Sequence, residues 1–266
     1  MRIVKIGMNQ LPKLDVNSAK YEYELISGLL NNIHAENTIV ILGGKFTEAD
    51  NYVIPLLSNY SRKIFVATDT VAIASCKEII ELCDVLLHQC PKRDIEGITI
   101  RQRYSYIPEL FYKVTQTEQQ DDLLFFAGAF RDIKPLVLDY IDNNKSKVLL
   151  KTENNDRRLV YYDYLNELKT HKYGLVLLRK QNHIPGWITS RFVEYVACNV
   201  FPIVHFEYDE DDYFSAIKTY NGIGAKALID LLKDNETFRV NYINALKSRF
   251  EKDNLKFIDV IMEELI

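Results

Sequence analysis

The chain has 266 residues, 47% of them hydrophobic, with only 10 Gly and 7 Pro. That is enough for one large core, or for two of about 100 to 150 residues each, and it leaves little room for disordered tails. A net charge of −4 excludes a generally basic nucleic-acid binder, so a polyanionic partner would have to meet a local cationic strip.

In chain order, apolar β-rich runs alternate with helical patterns. Strands are expected at Arg2 to Gly7, Thr38 to Leu42, Lys63 to Ala67 and Asp84 to His88, with amphipathic stretches such as Ala19 to Ile33 and Val71 to Leu82 between them. Thr115 to Asp122 is polar and reads as a linker. Strands resume at Leu123 to Ala127, Lys147 to Leu150, Gly174 to Leu178 and Phe201 to His205, and a charged helical pattern covers Asp234 to Ile266. This alternation predicts α/β architecture: two Rossmann-like domains, 1–118 and 119–240, facing a cleft, and a C-terminal helical segment, 241–266, that packs back across both or caps the second.

No apolar run reaches the roughly 18 residues that span a bilayer, and the opening Met-Arg-Ile-Val-Lys-Ile-Gly is strand-like instead of signal-like. A soluble intracellular protein with no membrane partner is expected. Cys76, Cys83, Cys90 and Cys198 form no CxxC pair and read as free, mostly buried thiols of a reducing compartment. The five histidines lack HxH or HxxxH spacing, so no metal site is expected from them. The acidic run Glu207 to Asp212 is the candidate for Mg2+ or Mn2+, against the plainer reading of a solvated loop.

Three segments that follow strands carry candidate chemistry. Asp69, just past a buried strand, can act as a general base toward an alcohol or can cap the helix that begins near Val71. In Gly128-Ala-Phe-Arg131, Gly128 lets backbone approach a ligand, Ala129 beside it is a further candidate contact to that ligand, and Arg131 with Lys134 can neutralise phosphate oxygens. Arg191 and Glu194 stand three apart at a helix start. There the guanidinium and free amides can face a diphosphate while the carboxylate chelates ribose hydroxyls, or the two side chains can form a surface ion pair. Neither GxGxxG nor GxxxxGK[ST] occurs.

These residues resemble the DNA β-glucosyltransferase family of T-even bacteriophages. The similarity is carried by Ile188-Thr-Ser-Arg-Phe-Val-Glu-Tyr-Val-Ala-Cys-Asn199 and its following strand, by Gly128-Ala-Phe-Arg131, by Thr68-Asp69, and by Arg103 to Lys113. The resemblance implies a GT-B fold and a cytoplasmic enzyme of an infected bacterial host. It would move a sugar from UDP-glucose or UDP-arabinose to 5-hydroxymethylcytosine in double-stranded DNA. It implies a diphosphate contact for Arg191 and Arg131, a ribose contact for Glu194, a uracil contact for Val160 and the catalytic base for Asp69. The family's second arginine falls on Pro135, with Lys134 a substitute, and its sugar-contacting Glu falls on Glu22 or Ser18 according to the gap.

The mechanism that follows is a single inverting displacement with no tightly bound cofactor, by a protein expected to be a monomer. Lys92, Arg93, Arg101, Arg103 and Lys113, interleaved with Tyr104 and Tyr106, form the best cationic strip for DNA, or else a solvated strand face. Two alternatives stay open. One is addition of a second sugar to hydroxymethylcytosine that is already glycosylated; the other is transfer to a small molecule or polysaccharide.

Overall fold

A computed structural model describes residues 2–6, 38–43, 62–67, 77–88, 102–107, 120–128, 133–150, 161–177, 188–208, 216–253 and 255–256. The chain divides into two compact units, one of Met1–Leu110 with Asp253–Ile266, the other of Phe111–Lys252.

In the first unit the described strands are β1 (Arg2–Ile6), β2 (Thr38–Gly43), β3 (Arg62–Val66), β4 (Val85–His88) and β5 (Gln102–Ile107), with helix α1 (Lys77–Glu81) before β4. They form a parallel sheet in the order β1-β2-β3-β4-β5, extended by β11 (Leu255–Lys256) against β5. All four residues of β4 are buried, as are Ile64, Phe65 and Val66 of β3. Strands that read as unbroken apolar runs are those covered on both faces, where period-2 alternation would leave polar groups unsolvated. Ala67 continues the pairing past β3, its amide donating to the Leu87 carbonyl at 2.8 Å.

The second unit is built from β6 (Asp121–Gly128), α2 (Lys134–Asn143), β7 (Ser146–Leu150), α3 (Tyr161–Leu168), β8 (His171–Val176), α4 (Ser190–Ala197), β9 (Phe201–His205), β10 (Lys218–Thr219), α5 (Gly222–Lys233) and α6 (Glu236–Asp253). Its parallel sheet has the order β10-β9-β8-β6-β7. The chain goes from β6 to β7 on one side, then returns to β8 on the other. The order therefore reverses at β6 and β8, and it is outside the carboxyl ends of such a pair that open α/β sheets bind ligands. Leu124, Phe126, Tyr173, Leu175, Phe201 and Ile203 from the strands pack with Val137, Tyr140, Ile229 and Leu232 from the helices in one buried core.

Several sequence expectations shift. Asp121 and Asp122, assigned to the polar linker, are the first residues of β6. The Asp121 amide donates to the Thr170 carbonyl at 2.7 Å and its carboxylate meets His171 Nδ1 at 2.7 Å. A polar residue is strand here because its partners lie fifty residues away. Within the helical pattern expected over Asp234 to Ile266, helix α6 ends at Asp253 and Leu255–Lys256 pair as β11, while 257–266 lie outside the described residues. Helix α6 runs unbroken through the boundary placed at 240. Cys83 and Cys198 are buried free thiols, both pushed up to about 12 by burial; Cys76 and Cys90 lie outside the described residues.

Candidate functional site

Helix α4 is placed by a glycine. A Cβ on Gly174 would lie 2.5 Å from Cε2 of Tyr195, so only a bare Cα lets α4 settle on β8. The Tyr195 hydroxyl then donates to the Leu175 carbonyl at 3.2 Å in the interior. Thr189 begins the helix, with Oγ1 accepting from the Phe192 amide at 3.2 Å and its own amide donating to the Tyr208 hydroxyl at 3.2 Å. The amides expected to be free at this helix start are thus partly committed, because Thr189 caps them.

On the first turn of α4, the Arg191 guanidinium lies over the Phe126 ring, its Cζ 5.4 Å from the centroid. Its Nη2 lies 3.0 Å from where a Gly128 Cβ would stand. Gly128 ends β6, so the cation sits at the carboxyl end of a switch-point strand. Among the described residues no carboxylate pairs with Arg191 and no acceptor takes a hydrogen bond from it. The ion pair with Glu194 that the spacing allows does not form. Glu194 Oε2 instead accepts the Tyr164 hydroxyl of α3 at 2.8 Å. Burial first, then the Glu194 charge, pushes the Tyr164 phenol well above its usual range. Among the described residues this half-buried guanidinium meets an aromatic face and a glycine, an arrangement that leaves its hydrogen-bond donors available for an external anion.

Lys134 opens α2, the helix that follows Gly128, and is exposed. Among the described residues no side chain caps that helix start, and Pro135 stands in its first turn. A lysine beside the positive end of a helix dipole is unfavourable by a few tenths of a kcal/mol to about 1 kcal/mol, and a bound anion would reverse that sign.

The structure therefore brings Gly128 and Arg191 together at the end of β6, with Glu194 further along α4 against Tyr164 and Lys134 at the start of the helix after β6. Asp69, Ala129, Arg131, Val160, Ser18 and Glu22 lie outside the described residues, as do Lys92, Arg93, Arg101 and Lys113. The Arg103 backbone is in β5, in register with Leu86 of β4. Of the acidic run, Asp209 to Asp212 also lie outside them. Among the described residues no three His, Cys, Asp or Glu side chains gather where they could hold a metal ion, and no helix is long and apolar enough to cross a membrane. Phe126, Tyr164 and Gly174 were not legible as site residues. Two look like ordinary aromatic core, and nothing in the linear chain couples Tyr164 to Glu194.

No protein-family model matches the chain, and no curated protein sequence does. Solved structures do. A crystal structure of the DNA-modifying enzyme β-glucosyltransferase, determined with and without its substrate uridine diphosphoglucose, has a TM-score of 0.50 at 14% identity, over 94% of this chain and 96% of that one. The chain shares that fold. A structure of T4 phage β-glucosyltransferase covers the same shares of both chains at 13% identity and a TM-score of 0.49.

Proposed function

We propose that the protein is a UDP-sugar-dependent DNA glycosyltransferase that moves glucose or arabinose to the hydroxymethyl group of 5-hydroxymethylcytosine. The observation that carries this reading is the Arg191 guanidinium, unpaired among the described residues, beside Gly128 at the carboxyl end of β6 and next to the Tyr164-held Glu194. A fold shared with an enzyme that modifies DNA and takes uridine diphosphoglucose supports the donor and acceptor classes.

In this reading Arg191, Arg131 and Lys134 bind the diphosphate, Gly128 and Ala129 admit it, Glu194 holds the ribose and Val160 lies against the uracil. Asp69 takes the proton of the hydroxymethyl group while its oxygen attacks the anomeric carbon. The bond to UDP breaks with inversion, and the three cations stabilise the departing diphosphate. Lys92, Arg93, Arg101, Arg103 and Lys113 hold the DNA backbone, and the target base leaves the stack at a cost of a few kcal/mol. Ser18 or Glu22 contacts the sugar.

The test is incubation with radiolabelled UDP-glucose or UDP-arabinose and duplex DNA carrying cytosine, hydroxymethylcytosine or glucosylated hydroxymethylcytosine. Label is expected on hydroxymethylcytosine DNA alone. Label only on the glucosylated duplex would replace the bare base with a modified one, and none on any DNA would overturn the DNA acceptor. Asp69→Ala should abolish transfer and keep UDP binding; unchanged transfer would remove Asp69 as the base.

A further inference from the structure

We infer that Tyr164 is a positioning residue that holds the Glu194 carboxylate in the orientation needed to chelate the two ribose hydroxyls of a nucleotide. The inference rests on the proposed nucleotide reading and adds to it a residue from a different helix. Tyr164 lies on α3, thirty positions before Glu194 on α4, and its Oη donates to Glu194 Oε2 at 2.8 Å. The Tyr164 ring lies against Phe125 of β6, centroids 6.1 Å apart, and the same Phe125 ring meets Tyr195 of α4 edge-on at 6.4 Å. Tyr195 is in turn seated on Gly174. Donor and acceptor thus hang from one aromatic wedge on β6, so their separation is set by packing instead of by solvent.

A glutamate on a helix surface has three side-chain torsions to order before it can meet a cis-diol with both oxygens aligned. A fixed phenol on one oxygen imposes that order when the protein folds, so less of it is charged against binding. The phenol also stays a donor: burial and the neighbouring carboxylate both push its ionisation up. Loss of the hydroxyl should therefore be felt through the ribose, and not through the diphosphate or the reacting carbon.

The experiment is calorimetric titration of full-length wild type and Tyr164→Phe with UDP and with 2′,3′-dideoxy-UDP. Wild type is expected to prefer UDP. The variant should lose about tenfold in UDP affinity, the worth of one hydrogen bond to a charged group, and almost nothing for the dideoxy nucleotide. In transfer assays KM for the UDP-sugar should rise while kcat holds. Equal losses for both nucleotides would make Tyr164 a packing residue and overturn the inference, and so would no loss for either. In a Glu194→Ala background, adding Tyr164→Phe should cost nothing further; additive losses would also overturn it. A wild type that fails to discriminate the two nucleotides would instead overturn the ribose role of Glu194, and the inference with it.

Discussion

At the scale of single residues, the informative contrast is between two arginines. Arg239 is buried and fully used: Nε and Nη2 grip Glu236 at 3.0 and 2.7 Å, and Nη1 donates to the Asn199 carbonyl at 3.0 Å. Asn199, with φ 59°, makes the left-handed turn between α4 and β9. Among the described residues Arg191 has no such set, so Arg191→Ala should cost no more than about 1 kcal/mol of stability, the worth of a cation–π contact. It should lower UDP affinity by about 10- to 100-fold, with Arg191→Lys between the two. Unchanged affinity in a titration would remove Arg191 from the site. The Arg239 grip has a pH signature. Its hydrogen bonds hold the Glu236 carboxyl below the usual range, so the stabilisation is present above the unfolded pKa of about 4.3 and is lost as pH falls through the folded value. Denaturant melts from pH 7 to 3 should show that loss, flattened in Glu236→Gln.

At the scale of elements, strands were legible wherever burial on both faces makes the run apolar, as in β3, β4 and β9. Asp121 at the head of β6 was not, because its amide bond to the Thr170 carbonyl and its carboxylate's hydrogen bond with His171 outweigh its polarity. The two-residue strands β10 and β11 are defined only by their neighbours. Glycine 174 decides how closely α4 lies on β8. Gly174→Ala should cost about 1 to 3 kcal/mol through overpacking against Tyr195, lowering the melting temperature and donor affinity together. At Gly128 an added Cβ meets the far end of the Arg191 side chain and the Phe126 ring. Gly128 also has φ 158°, a backbone conformation that L side chains rarely adopt, so Gly128→Ala should both weaken UDP binding and lower the melting temperature; unchanged UDP affinity would contradict the placement of Arg191 beside it.

At the scale of the whole molecule, the unit of Phe111–Lys252 contains the switch-point strands and every described residue of the nucleotide reading. Expressed alone, 111–252 should fold cooperatively and bind UDP within about tenfold of the full chain, as a unit with its own core can. It should transfer nothing, since Asp69 belongs to the other stretch of chain. A fragment that melts cooperatively yet ignores UDP would show that the nucleotide site needs residues outside it.

The sequence by itself determined the α/β class, most strand positions, and the choice of Gly128, Lys134, Arg191 and Glu194 as candidates. Residue type, apolar patterning and spacing are local properties that a chain carries before it folds. Only the tertiary structure decided that Arg191 and Glu194 part instead of pairing and that Tyr164 meets Glu194. Each of those outcomes depends on contacts between elements, above all the seating of Tyr195 on Gly174, and close packing of that kind has no signature along one strand or helix.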